Sequence, residues 1–152
     1  MMEEYVIGID IGGTLARAVV LESTTFEIKD QLTKASSDDG QELVQIIKSL
    51  FRKLEDNTKQ SFASLGLGIA GLAHKSGIVR YSPNLPSLVE FPIADEIKKE
   101  LGIPVVMGND ATVGTIAEWE IGAGKGSENF ALVTLGTGIG TGSVVNGHLL
   151  LG

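Results

Sequence analysis

Two stretches of this chain carry residue types that could hold and neutralise phosphate. The first is Tyr5-Val6-Ile7-Gly8-Ile9-Asp10-Ile11-Gly12-Gly13-Thr14, followed by the apolar run Leu15 to Leu21. It reads as strand, tight turn, strand. Gly12 and Gly13 tolerate positive φ and close backbone approach. Successive N–H groups in such a turn form an anion cradle, to which Thr14 adds a donor. Asp10, at the strand end, is placed to hold a cation beside that anion. The second stretch, Phe130 to Val145, repeats the design: an apolar strand, then Gly136-Thr137-Gly138-Ile139-Gly140, then a strand. Two such hairpins facing each other across a cleft would grip one polyphosphate. Taken alone, the first stretch also has the plainer reading of a surface hairpin with a polar tip.

Between them the chain alternates strands and helices. Strands are expected at 5–10, 15–21 and 26–34, forming a meander. After Ser36-Ser37-Asp38-Asp39-Gly40, a turn with N-cap residues, Leu43, Ile46, Ile47, Leu50, Phe51 and Leu54 recur with helical spacing and predict a helix over about 40–56. A buried strand follows at 62–70. It holds a formal G-x-G-x-x-G match at Gly66, Gly68 and Gly71. A dinucleotide site needs those glycines to follow a strand and open a helix, but here they lie within the strand and a turn over 72–77 follows. Glycine inside a strand more often marks close approach of a ligand or another backbone. A short strand at 78–82, a rigid Pro83-Asn84-Leu85-Pro86 loop and a helix through Ile93, Ile97 and Leu101, closed by Gly102, come next. A strand at 105–110 and a helix at 111–121 bearing Trp119 complete the series. Gly122-Ala123-Gly124-Lys125-Gly126 is a flexible break and not a nucleotide-binding P-loop, because Lys125 is followed by Gly126 and preceded by a helix. The order predicts an α/β domain, a mixed five-stranded sheet with an antiparallel three-strand meander and flanking helices. The last hairpin, 130–151, has no helix after it. It is expected to open a second domain that the chain does not complete. This places the first domain at 1–122 and a linker with an opening hairpin at 123–152.

The chain has 152 residues and a formal net charge of −7, with no cysteine. That length suffices for a core. The negative charge argues against nucleic acid or an anionic membrane as partner, without excluding a phosphate held by backbone and metal. No disulfide or thiolate metal site can form within the chain. The apolar runs are strand-length, short of a membrane span. Glu3 and Glu4 stand where a signal peptide would be basic, so a cytoplasmic location is expected.

With Asp10-Ile11-Gly12-Gly13-Thr14, Asn109-Asp110-Ala111 and Leu135-Gly136-Thr137-Gly138-Ile139-Gly140 in order, the sequence resembles the ROK sugar kinases. These are the glucokinase-like branch of the actin/hexokinase ATPase superfamily, with a ribonuclease H-like fold. The likeness covers nearly the whole chain. Gly68-Ile69-Ala70-Gly71 and Ser82-Pro83-Asn84-Leu85-Pro86 are similar to family segments lining the sugar site. The resemblance implies transfer of the ATP γ-phosphoryl to a hexose hydroxyl. Asp110 matches the catalytic base, since a carboxylate at a strand's C-terminal end can accept the hydroxyl proton. Asn109 matches a sugar-binding amide, with Asn84 and the Gly71 backbone as further sugar contacts. Asp10 matches the acid that holds Mg²⁺ through water. Gly12, Gly13 and Thr14 match the first phosphate loop, and Gly136, Thr137, Gly138 and Gly140 the second. Family members continue with a Glu-x-Gly-His sugar segment, a Cys/His zinc cluster and an adenine region, so zinc is implied only beyond this chain. The isolated chain is therefore expected to turn over little or nothing, and homo-oligomers are common in the family.

Blander roles stand beside these. His74 reads as a surface histidine in a turn, Trp119 as packing rather than a sugar platform, and Asp110 as a helix N-cap, a role compatible with catalysis. A sugar-sensing regulator, an N-acetylhexosamine kinase and a non-catalytic interaction module are the alternative functions. The intact Asp110 and the absence of a helix-turn-helix before Tyr5 argue against the regulator.

Overall fold

The computed structural model describes residues 5–136 and 138–151. Two compact units make up the chain, Met1–Gly108 and Asn109–Gly152.

The first unit is built on a sheet of five strands: β1 (Tyr5–Ile11), β2 (Leu15–Glu22), β3 (Ile28–Ala35), β4 (Leu65–Ile69) and β7 (Val105–Asn109), in the order β3-β2-β1-β4-β7. β1, β2 and β3 form the antiparallel meander expected from the sequence, while β4 lies parallel to β1 with Ile7 opposite Leu65 and Ile11 opposite Ile69. The period of two is strict in β1: Tyr5, Ile7, Ile9 and Ile11 are buried and Val6 and Asp10 are exposed. The long helix α1 (Gly40–Thr58) carries Leu43, Val44, Ile47, Leu50, Phe51 and Leu54 into the same core as that β1 face. Each such side chain contributes roughly 1.5–3 kcal/mol by leaving water. Asp39 caps the helix, accepting from the Glu42 N–H at 2.8 Å, and Lys59 ends it in the left-handed region with φ 59°.

Several boundaries differ from the sequence reading. The third strand starts at Ile28 because the Glu22 carboxylate collects the Thr24 and Thr25 N–H groups into a turn that ends with Phe26 at φ 58°. Phe62 is buried by packing edge-to-face on Phe51, ring centroids 5.5 Å apart, and not by strand pairing. Leu72–Ala73, expected as part of a turn, forms the short strand β5 and pairs with β6 (Val79–Tyr81), leaving only His74–Gly77 as the turn. The G-x-G-x-x-G glycines therefore run through a strand into a hairpin, and no helix follows them. Helix α2 (Ile93–Leu101) stops where expected, at Gly102 with φ 74°.

The second unit pairs α3 (Asp110–Glu120) with an antiparallel sheet of β8 (Phe130–Leu135), β9 (Ile139–Val145) and β10 (His148–Leu150), β9 lying between the other two. Two expectations change. The closing hairpin has a third strand, and α3 covers one of its faces. A Cβ added at Gly114 would meet Leu132 at 3.3 Å, and one at Gly142 would meet the Thr115 hydroxyl at 2.0 Å. The glycines let helix and sheet approach closely. The opposite face is open: Val133, Leu135 and Ile139 are 56%, 81% and 76% exposed. Among the described residues no helix is long and apolar enough to cross a membrane.

Candidate functional site

In the first unit, the strand order puts the ends of β1 and β4 side by side, and the candidate residues follow from those ends. The Ala70 N–H donates to Ile11 O at 3.3 Å, so the residue before Gly71 is tied to the residue before Gly12. The Gly12-Gly13-Thr14 turn is closed by the Gly12 N–H to Leu15 O at 3.0 Å and held from β3 by the Ser36 N–H to Thr14 O at 2.8 Å. Neither Gly12 nor Gly13 adopts the positive φ that glycine allows. Close approach is what Gly13 provides. A Cβ there would lie 2.8 Å from Asn84 O and 2.9 Å from Asn84 Cβ, whereas at Gly12 the nearest atom would be Leu15 O at 3.4 Å.

Gly71 does use positive φ, at 120°, and a side chain there would strike Tyr81 O at 2.4 Å and Ser82 Cα at 2.8 Å. Gly71 and Gly13 thus each receive the backbone of the 81–84 segment, and the structure brings Gly71, Asn84 and the Gly12-Gly13 turn together. Leu85 and Leu88, both fully buried, hold the loop down.

Asp10 ends in solvent, its side chain 54% exposed, with Arg17 Nη1 3.8 Å from its Oδ2 across the β1–β2 pair. An exposed pair at that separation contributes little to stability. Sequence reasoning passed over Arg17, although the strand alternation that exposes Asp10 exposes its cross-strand partner too. Among the described residues no group of three acidic, His or Cys side chains could hold a metal. A single carboxylate open to water fits Mg²⁺, which takes one or two carboxylates and keeps most of its water and phosphate ligands.

In the second unit, Asn109 and Asp110 divide the start of α3 between them. Asn109 is the N-cap, with its Oδ1 accepting the Ala111 N–H at 3.0 Å and the Thr112 N–H at 3.2 Å. The capping role considered for Asp110 therefore belongs to its neighbour. Asp110 is the first helical residue and is exposed, with Oδ1 2.9 Å from the Ala111 nitrogen and Oδ2 on the other side of the carboxylate. A carboxylate there is favoured by the positive end of the helix.

The second glycine loop does not act as one piece. Gly136 and Gly138 form the open hairpin tip, where an added Cβ would meet nothing within 4 Å, and the Gly136 N–H turns inward to Gly138 O at 3.0 Å. Gly140 lies in β9 under α3, where a Cβ would sit 2.5 Å from Thr134 Oγ1 and 2.9 Å from Ala111 Cβ. Thr137 lies outside the described residues.

Trp119 is half-buried beside an open surface hollow of about 470 Å³ and donates Nε1–H to Ser127 O at 2.8 Å. His74 sits in its turn with Nδ1 2.7 Å from Ser76 Oγ.

A family model described as ROK family matches residues 6–152. The chain is 36% identical over 149 residues to a glucokinase from Thermotoga maritima, covering 96% of this chain and 46% of the relative. It is 33% identical over 158 residues to a glucokinase from Halalkalibacterium halodurans, covering 100% of this chain and 47% of the relative. Among solved structures, a ROK family glucokinase from Streptomyces griseus in complex with glucose and AMPPNP superposes with a TM-score of 0.88 at 29% identity, over 98% of this chain and 47% of that one. A Haemophilus influenzae N-acetylmannosamine kinase and a Bacillus subtilis xylose repressor are more distant relatives, 27% and 26% identical. The fold is the mixed α/β fold of the actin-like ATPases expected from the sequence. The chain spans about half the length of the curated relatives it matches.

Proposed function

The chain belongs to the ROK family, and from that premise we propose that it is the N-terminal part of an ATP-dependent hexose kinase of glucokinase type. Within the chain, one observation carries the reading: the Gly12-Gly13 turn beside the exposed Asp10 packs directly on the backbone of Asn84. A turn suited to phosphate is thereby built against a loop suited to a sugar.

The roles follow residue by residue. Gly13 and Thr14 receive phosphate oxygens through an N–H group and a hydroxyl, Gly12 shapes that turn by closing its N–H onto Leu15 O, and Gly136, Thr137 and Gly138 form the second phosphate loop with Gly140 packed under α3 at its base. Asn84, Asn109 and the Gly71 backbone bind sugar hydroxyls. The Asn109 Oδ1 accepts from the α3 N-terminus, which fixes the amide at the point where the sugar would bind. Asp110 takes the proton of the attacking hydroxyl at Oδ2, leaving Oδ1 turned to the helix. Asp10 would hold Mg²⁺, which when bound neutralises charge on the phosphate oxygens. Positioning and charge stabilisation carry the rate, because phosphoryl transfer asks little covalent chemistry of the protein.

In the complete protein we assign residues 1–122 to the first domain and 123–152 to the linker and opening strands of the second. Structural zinc, the remaining sugar contacts and the adenine region belong to the remainder. The isolated chain is then catalytically silent. Cytoplasmic location and self-association complete the proposal.

A coupled assay of the longest natural form, with ATP, Mg²⁺ and a panel of hexoses and N-acetylhexosamines, tests it alongside Asp110→Asn. Phosphorylation of a hexose by the wild type, reduced about 10²–10⁴-fold in a folded Asp110→Asn, is expected for loss of a general base. Turnover of an N-acetylhexosamine alone would reassign the substrate. No turnover by folded protein would favour the sugar-sensing regulator and leave Asp110 a helix residue.

A further inference from the structure

Asp38 has no part in the roles assigned above, yet its carboxylate is fully engaged with one residue far along the chain. Oδ1 accepts the Ser87 N–H at 2.9 Å and Oδ2 accepts the Ser87 hydroxyl at 2.7 Å, across a sequence separation of 49. It does not serve the helix beside it. That work falls to Asp39, whose Oδ1 accepts the Glu42 N–H at 2.8 Å. Of two adjacent acids, one caps α1 and the other reaches to the loop that carries Asn84.

That loop is fixed at three kinds of point. On one side Asn84 rests on Gly13, with no room for a methyl group. Beneath it, Leu85 and Leu88 are plugs in the core, and the Leu88 N–H closes a turn onto Leu85 O at 2.9 Å. At the far end Ser87 is bonded to Asp38, and Phe91 lies over Gly40, where a Cβ would come within 2.7 Å of its ring. The leucines already anchor the loop to the fold. The exposed Asp38–Ser87 contact adds two charge-assisted bonds three residues from Asn84, which set its position rather than its attachment.

We infer that Asp38 is a positioning residue for sugar recognition: through Ser87 it sets the Asn84 loop against the Gly12-Gly13 turn. This rests on the proposed role of Asn84 in binding sugar. The turn itself is held by its own bonds, from Gly12 N–H to Leu15 O and from Ser36 N–H to Thr14 O. Losing Asp38 therefore disturbs the sugar side more than the phosphate side.

The test is steady-state kinetics on the longest natural form of the protein. Asp38→Ala is expected to raise the KM for sugar about tenfold while kcat and the KM for ATP move less than about twofold. Asp38→Asn restores the sugar KM to within about threefold, because the amide oxygen still accepts the Ser87 N–H and the amide nitrogen can donate to its hydroxyl. Ser87→Ala, which keeps the backbone bond, falls between at about threefold. It carries the test if Asp38→Ala does not fold. A purely structural contact would lower the active fraction, and so kcat, with the sugar KM unchanged. That pattern, with an active wild type, overturns the inference and leaves the kinase reading intact. A folded wild type that neither phosphorylates nor binds any sugar by calorimetry overturns both.

Discussion

Replacing Gly13 with alanine isolates the contact on which the functional reading stands. The new Cβ would lie 2.8 Å from Asn84 O and 2.9 Å from Asn84 Cβ, closer than real side chains come to such atoms. The opposing atoms cannot swing aside, being a backbone oxygen and a Cβ on a loop pinned by the buried Leu85 and Leu88 and by the Asp38–Ser87 bonds. Accommodating the methyl must move the turn or the loop, an overpacking cost of about 1–3 kcal/mol. That corresponds to roughly 5- to 150-fold in the unfolding constant. Gly12→Ala is the matched control. Its nearest contact would be 3.4 Å, its φ is not positive, and the gain from a stiffer unfolded chain is about 0.4–1 kcal/mol. The chain's single tryptophan, Trp119, lies in the second unit. Amide hydrogen exchange over residues 5–35 and 82–92, combined with urea unfolding followed by circular dichroism, reads the right region. Gly13→Ala is expected to lose protection in both segments and Gly12→Ala in neither. A Gly13→Ala protein as stable and as protected as Gly12→Ala would refute the claim that the Asn84 backbone is built onto the turn.

Two further outcomes follow from local contacts. Asn109→Ala removes the acceptor for two N–H groups at the start of α3 and should cost about 0.5–2 kcal/mol in the second unit, read by Trp119 fluorescence, whereas Asn109→Asp keeps the cap and most of the stability. The Glu22 carboxyl is held down to about 2 by hydrogen bonds from Thr25 and then Thr24. Its folded value is depressed, so its contribution is complete above the ordinary carboxylate range and fades as pH falls through that range towards about 2. The urea midpoint of the wild type should exceed that of Glu22→Gln at about pH 6, with the difference shrinking by about pH 3. A difference that stays constant with pH would dismiss the carboxylate as its source.

The sequence by itself determined the elements whose pattern is local. Alternation placed Tyr5, Ile7, Ile9 and Ile11 on a buried face, helical spacing placed Leu43 through Leu54 on one stripe, and Gly102 marked the end of α2. The motif residues Asp10, Gly12, Gly13, Asn109 and Asp110 were also legible, because their order and spacing match the motifs that carry the family resemblance. Tertiary structure decided what each of them touches. Gly13 reads in the sequence as a flexible turn residue, yet its need is steric and is set by Asn84, far along the chain. Asp38 and Asp39 are equivalent as N-cap letters, and only the fold sends one to Glu42 and the other to Ser87. Asn109 took the cap considered for Asp110 because its extended backbone, φ −63° and ψ 144°, points its side chain back at the first free N–H groups of α3. The closing hairpin read as uncovered in the sequence, but α3, which precedes it, packs on one face through Gly114 and Gly142. In each case the sequence states which groups need a partner, and chain topology alone determines which partner comes within the 3 Å or so at which a hydrogen bond or a close packing contact forms.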